Sequence, residues 1–326
     1  MVVTCYFCRE TGPLEDFEMD TVNKLGFWCE WCDGFTYFEE KMKERHRFTL
    51  ILEDKEAEKP KVGAMPIKLK KSLSPLRYPG GKTRLVDYLY KHLQQENSKT
   101  LISPFTGGGS FELAMLDAGV VEQLHLNDLD YGVYSLWWTM LHAPYALIDK
   151  LQRIQPTHAD YFRAQAMIKQ DYRGLDAVDA AWATLLVNRT AYSGIVKANP
   201  LGGKNGTKEA LLSRWNPKAL IEKINHIHSL SDRIQITQED AAELIEESYW
   251  LSNATIFIDP PYVEKGKDLY HCYYTERNHV ELSTLLDSLH QGMPGADIVV
   301  TYDYNEWLQA IYEYPETVVI GRNYSI

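Results

Sequence analysis

The chain has 326 residues, with 34 Lys and Arg against 45 Asp and Glu, a formal charge of −11 at neutral pH. That length predicts two or three domains, and the acidic balance excludes a surface that is basic throughout, so any nucleic-acid contact must be local. No apolar signal segment opens the chain and no run is long enough to span a bilayer, which predicts a cytoplasmic protein with no membrane partner.

The first fifty residues carry Cys5-Tyr6-Phe7-Cys8 and Cys29-Glu30-Trp31-Cys32, two Cys-x-x-Cys pairs twenty residues apart. Two such knuckles can set four thiolates tetrahedrally around a structural Zn2+, and so short a segment needs a staple of this kind to fold. Disulfides or a rubredoxin-like iron are the alternatives; a reducing cytoplasm disfavours the first. Residues 1 to 58 hold fourteen acids against seven bases, so this head is expected to meet a protein partner or to pack on the rest of the chain rather than to bind DNA. A zinc-ribbon-like domain is assigned to 1–52 and a linker to 53–73. Residues 59 to 91 then reverse the sign, with nine bases and one acid.

Next comes Arg77-Tyr78-Pro79-Gly80-Gly81-Lys82, before an amphipathic helix expected over 84–93. The segment from Thr100 to Ser110 reads as a short strand, a loop with glycines at 107 to 109, and a helix opening at Ser110. Such loops let a backbone approach a cofactor closely, and the helix presents free N–H groups. About 20 residues further on, Asp128 ends a second apolar stretch, at the spacing of an acid that grips ribose hydroxyls.

Residues 133–154 and 158–188 carry apolar and aromatic positions at helical spacing, Trp137, Trp138, Leu141, Leu147, Trp182 and Leu185 among them, which predicts a packed helical insert over 131–236. From Asn188 to Gly203 the chain turns polar, aromatic and glycine-rich, suiting a loop or hairpin that reaches into a groove. Residues 188 to 235 hold eight bases against three acids, an excess of five (8 − 3) that suits a phosphate backbone. Arg189, Tyr192, Lys197, Arg214 and Asn216 are the candidate DNA contacts.

The apolar run Ala254 to Ile258 stops at Asp259-Pro260-Pro261-Tyr262. Each proline fixes φ and donates no backbone hydrogen bond, so a buried strand must turn sharply here. The Asp259 carboxylate and the Pro260 carbonyl can each take one hydrogen of an NH2 group, while Tyr262 offers a ring for stacking. Two such acceptors would make an exocyclic adenine amine, whose lone pair is delocalised into the ring, more tetrahedral and more nucleophilic. Tyr270, Tyr273 and Tyr274 are expected in the pocket wall or the core, and Cys272 beside it.

Arg-Tyr-Pro-Gly-Gly-Lys (77–82), Pro-Phe-Thr-Gly-Gly-Gly-Ser (104–110), Asn-Asp-Leu-Asp (127–130), Asn-Arg-Thr-Ala-Tyr-Ser-Gly (188–194) and Asp-Pro-Pro-Tyr (259–262) occur in that order. Together they resemble the Dam-like, D12 class of S-adenosylmethionine-dependent DNA adenine-N6 methyltransferases, in the alpha arrangement, over residues 74 to 326. The resemblance implies a Rossmann-like α/β core over 74–130 and 237–326. It places Tyr78, Lys82, Phe105, Gly107 and Gly109 around the cofactor, Asp128 on its ribose and Asp240 near its adenine. Asp259, Pro260, Pro261 and Tyr262 would hold a target adenine flipped out of double-stranded DNA. A zinc ribbon is a departure from that pattern. So is the ending at Val318 to Ile326, where the family continues into a last hairpin, and an incomplete sheet is expected there.

Strands near 100–103, 123–127, 254–258, 296–302 and 317–320 should form an open, mostly parallel sheet with ligands at its carboxyl edge. Three readings follow: an active DNA adenine methyltransferase; the same chemistry on RNA, cytosine N4 or a protein amide; or an inactive shell that binds DNA or a partner. Asp at 259 disfavours cytosine and amide acceptors, and intact cofactor and catalytic motifs disfavour the shell.

Overall fold

The structure is a computed structural model, and it describes residues 2–4, 11–13, 18–19, 26–29, 34–37, 47–77, 80–93, 98–263, 266–269, 271–292 and 294–321. In the head, β1 (Val2–Thr4) pairs antiparallel with β2 (Thr11–Pro13), while β3 (Glu18–Met19), β4 (Gly26–Cys29) and β5 (Gly34–Tyr37) form a second antiparallel sheet. Along β4, Phe27 and Cys29 are buried and Trp28 between them is exposed, the alternation of a strand with one covered face. Cys5, Cys8 and Cys32 lie outside the described residues, so of the expected zinc ligands only Cys29 is placed.

The core is one seven-stranded sheet of β6 (Phe48–Asp54), β7 (Thr100–Ser103), β8 (Gln123–Asn127), β9 (Ile234–Thr237), β10 (Ala254–Ile258), β11 (Asp297–Asp303) and β12 (Glu316–Gly321). The order across it is β12-β6-β11-β10-β7-β8-β9, and every pair is parallel. Both faces are buried, as a parallel sheet requires. Successive residues point to opposite sides: Leu101, Phe257 and Val299 join the cluster under the helix Ser110–Asp117, while Ile102, Ile256, Ile258, Ile298 and Val300 join the one under Ala241–Ser248 and Glu276–Gln291.

Strand β6 corrects two expectations. The boundary drawn at residue 52 cuts through it, because Phe48 to Leu52 reads as an apolar continuation of the head yet is buried on both faces of the core sheet. The strand also takes a place in the core sheet that the sequence did not announce. Strand β6 lies between β11 and β12, with six residue pairs to each.

The insert between β8 and β9 is helical, over Tyr131–His142, Pro144–Arg153, His158–Lys169, Ala177–Thr190 and Pro217–His228. The first expected helical span is broken at Ala143, since Pro144 can open a helix but cannot continue one. Thr157 caps the helix after it with a reciprocal capping box to Asp160. The loop after Thr190 closes on itself through an Ala191–Pro200 bridge, which bears out a hairpin-like excursion. Residues 82–92 are short helical pieces rather than one helix.

Candidate active site

Strand β10 is buried along its whole length and delivers Asp259 at its carboxyl end. The Lys82 ammonium lies 2.8 Å from Oδ1 of Asp259 and 2.9 Å from Oε1 of Glu53, and its Nζ also donates to the Gly80 carbonyl at 3.3 Å. The Thr301 hydroxyl, from β11, donates to the same Asp259 Oδ1 at 2.9 Å. Both bonds to Asp259 thus fall on one oxygen. Oδ2 carries none among the described residues.

Burial works against the Lys82 ammonium, but the charges of Asp259 and Glu53 outweigh it and hold its pKa above the ordinary lysine value. Burial raises the Asp259 carboxyl, opposed by Lys82 and reinforced by Glu53. Sequence reasoning placed Lys82 beside the cofactor and passed over Glu53. Lys82 does line the pocket, yet its ion pairs are with Asp259 and with Glu53, which the expected boundaries put in the linker.

Asp259 and Pro261 face the pocket, whereas Pro260 and Tyr262 are buried and do not line it. Tyr262, only 3% exposed, has Lys82 Nζ 5.6 Å from its ring centroid and is packed against Gly80. A Cβ on Gly80 would stand 1.8 Å from the Tyr262 hydroxyl oxygen, and Gly80 has φ of +78°, so only glycine fits. Tyr262 therefore offers no open face in this state, in contrast to the stacking surface expected. Tyr78 and Tyr270 lie outside the described residues.

The glycine loop follows β7. Gly107 and Gly109 have φ of +47° and +58°, and a Cβ at Gly109 would come within 2.5 Å of the Trp137 ring. Trp137 donates its indole N–H to the Gly107 carbonyl at 3.1 Å, so a side chain expected only to pack the insert also clamps the loop. Asp128, at the end of β8, accepts from the Gly107 N–H at 2.8 Å through Oδ2 and from the Asp130 N–H at 3.0 Å through Oδ1. Each carboxylate oxygen has a second lone-pair direction, so hydroxyl groups of a ligand can still be accepted.

Phe105 lines the same pocket and meets Tyr274 edge to face at 5.3 Å; Asp240 caps the helix after β9 and reaches the pocket from there. Tyr273, Tyr274 and Cys272 form part of the wall. Burial, with the Asp130 charge second, raises Asp128 to about 7. Burial likewise raises Glu112, a buried acid that accepts from the Ser103 hydroxyl at 2.7 Å, to about 7. Lys82, Phe105, Gly107, Gly109, Asp128 and Asp240 thus share one pocket with Asp259. Its acids, hydroxyl acceptors and close backbone fit a cationic, ribose-bearing cofactor.

A second cleft gathers Arg77, Arg189, Arg214 and Lys223, with Asn216 at its side, and no acid is among the described residues lining it. Burial and the neighbouring Arg77 and Arg214 charges depress Arg189 to about 10. Arg189 donates to the Pro75 carbonyl at 3.4 Å and Lys223 to that of Ser74 at 2.7 Å. Asn216 spends its side-chain oxygen capping the helix at Ala219. Tyr192 and Lys197 lie apart from this cleft: Tyr192 is 55% exposed, and Lys197 sits over the Tyr273 ring, 5.9 Å from its centroid. Asn188, not singled out from sequence, accepts from the Arg77 N–H at 2.8 Å and donates to its carbonyl at 2.9 Å. That reciprocal pair ties the insert to the segment leading into Lys82.

The family model for D12 class N6 adenine-specific DNA methyltransferases matches residues 78–326. The chain belongs to this family. It is 22% identical over 259 residues to the Type II methyltransferase M.MjaIII of Methanocaldococcus jannaschii, covering 73% of this chain and 87% of that protein. It is 24% identical to the Type II methyltransferase M.CviBI of Paramecium bursaria Chlorella virus NC1A, over 64% of this chain and 76% of the relative. A DNA adenine methylase of Vibrio cholerae is 23% identical over 60% of this chain and 66% of its own length. Family membership favours a DNA adenine acceptor over RNA, cytosine or protein amides and makes S-adenosylmethionine the expected donor. No helix among the described residues is long and apolar enough to cross a membrane.

Proposed function

We propose that the chain methylates N6 of a specific adenine, flipped out of duplex DNA, at the carboxylate of Asp259. The observation that carries this reading is the crowding of both Asp259 bonds onto Oδ1, beside a pocket suited to S-adenosylmethionine. When bound, that cofactor supplies an electrophilic methyl group on a cationic sulfur. Asp128 would accept its ribose hydroxyls, Asp240 would lie near its adenine, and the loop at Phe105, Gly107 and Gly109 would enclose the methionine part.

Asp259 Oδ2 would accept one hydrogen of the target amine, and the Pro260 carbonyl, which does not line the pocket in this state, would have to be uncovered to accept the other, drawing the lone pair out of the ring plane. Thr301 and Lys82 keep the carboxylate oriented. Catalysis of this kind rests on positioning and on a fixed electrostatic environment, without a covalent enzyme intermediate. Flipping requires unpairing and unstacking at roughly a few kcal/mol. Phosphate contacts would offset that cost, and the cleft of Arg77, Arg189, Arg214 and Lys223, with no acid among the described residues lining it, is the surface suited to them, with Tyr192 and Lys197 as outlying contacts. Tyr262 would have to be uncovered before a base could stack on it.

The division into head, core and helical recognition insert belongs to the same reading, with β6 moved into the core. So do a Zn2+ held by Cys5, Cys8, Cys29 and Cys32 and a protein partner for the acidic head. Among the described residues no group is placed to hold a metal, and three of these cysteines lie outside them. Zinc content of wild type and of Cys29→Ser tests the head: one ion per chain, lost in the variant, is expected.

Offering the purified protein labelled donor together with duplex DNA, single-stranded DNA and RNA in competition tests the acceptor. Label in duplex DNA is expected. Label in RNA alone would refute the reading.

A further inference from the structure

Glu53 lies outside the 78–326 family match and enters the site on β6, a strand held between β11 and β12. We propose that Glu53 is a positioning residue for methyl transfer: acting through Lys82, it fixes the ammonium on Oδ1 of Asp259 and sets a second carboxylate charge beside that pair. This role rests on the methylation reading of the site.

Two observations support it. The Lys82 ammonium lies 2.9 Å from Glu53 Oε1 and 2.8 Å from Asp259 Oδ1, held between the two carboxylates, and it donates to the Gly80 carbonyl at 3.3 Å. Removing the Glu53 charge takes away one of the two carboxylates between which the ammonium is held and lets it swing toward Oδ2, the oxygen reserved for the amine.

The second is charge. A Lys–Asp pair alone is neutral and a weak acceptor for a nitrogen that would become cationic as the methyl–sulfur bond breaks to leave a neutral thioether, and that would then give up one proton through Asp259 Oδ2 to water. Glu53 brings a second carboxylate, whose charge acts on Asp259, to a buried site where water screens little. Side-chain exposures of 3% for Lys82 and 7% for Glu53 place both out of water.

The test compares wild type with Glu53→Gln at saturating donor and duplex DNA, reading kcat, both KM values, donor Kd by calorimetry and the pH dependence of kcat. The titratable groups around Asp259 are Lys82 and Glu53, with Glu112, Tyr262 and Tyr302 beyond them. Glutamine should lower kcat by about tenfold or more, leave KM and Kd within about twofold, and move the acid limb of the kcat profile to lower pH. That direction follows because the Glu53 charge raises the proton affinity of Asp259.

A folded Glu53→Gln with unchanged kcat and an unmoved acid limb overturns the role. Where glutamine does not fold, Glu53→Asp keeps the charge but draws it back from Lys82, and kcat should fall with KM unchanged; an unchanged kcat there also overturns it. Wild type that binds donor yet methylates no nucleic acid overturns the functional reading and this role with it. An active wild type beside an unaffected variant overturns this role alone.

Discussion

Lys82 donates to Asp259 Oδ1 at 2.8 Å, and Thr301 donates to the same oxygen at 2.9 Å, so the carboxylate is held by one side and open on the other. The consequence is a division between binding and chemistry. Lys82→Met takes the ammonium away from two buried carboxylates, Glu53 and Asp259, and should destabilise the fold by about 3–5 kcal/mol. Urea unfolding checks this, and a loss below about 1 kcal/mol would show that the ion pairs are not what holds the turn.

Gly80 lies against Tyr262 with no room for a methyl group. Gly80→Ala must push the ring aside or distort a backbone at φ of +78°, and a destabilisation of about 1–3 kcal/mol is expected. The displaced ring should also change base flipping, followed by the fluorescence of 2-aminopurine at the target position. Wild-type stability together with wild-type flipping would contradict this packing.

Asp128 ties cofactor binding to pH. Its pKa of about 7 in the folded pocket means that the ionised form, which accepts ribose hydroxyls best, is dominant above 7 and is lost as pH falls. Donor affinity should weaken below pH 7 by up to about tenfold per unit, the slope of one proton taken up. Calorimetric titrations at pH 6 and 8 measure it. Asp128→Asn should bind weakly at both and show no slope.

Glu112 has the opposite bearing on stability. Its pKa rises from 4.5 to about 7 on burial, so the folded chain holds this proton more tightly than the unfolded chain. That contribution is fully present below 4.5 and is lost as pH rises to 7, on the order of 3 kcal/mol in all. Glu112→Gln keeps an acceptor for the Ser103 hydroxyl and cannot ionise. It should match wild type near pH 5 and exceed it in stability at pH 8; an equal difference at both values would refute the shift.

The parts of the site legible in the sequence are those written in contiguous residues. Asp259-Pro260-Pro261-Tyr262, the glycines at 107 to 109 and Asp128 each state a local conformation and a chemistry, and the structure places Asp259, Gly107, Gly109 and Asp128 on one pocket. What was missed depends on distant pairings. Phe48 to Leu52 has the same apolar character whether it ends the head or lies inside the core sheet, so nothing local marks Glu53 as a partner of Lys82. The Asn188 clamp on Arg77 spans 111 positions and is equally invisible to spacing. Tyr262 was legible as an aromatic at the Asp-Pro-Pro-Tyr turn but not as a covered one, because Gly80 and Lys82, which pack against it, lie far upstream.

The central claim is that Asp259 accepts from the adenine amine while other residues hold the donor. Wild type and Asp259→Ala should be incubated with S-adenosylmethionine and unmethylated duplex DNA, with N6-methyladenine counted by nucleoside mass spectrometry and donor affinity measured on the same preparations. The account predicts N6-methyladenine with wild type, a loss of about a thousandfold or more in the variant, and nearly equal donor affinity in both. Equal methylation by Asp259→Ala, or none by a wild type that binds donor and duplex DNA, would contradict it.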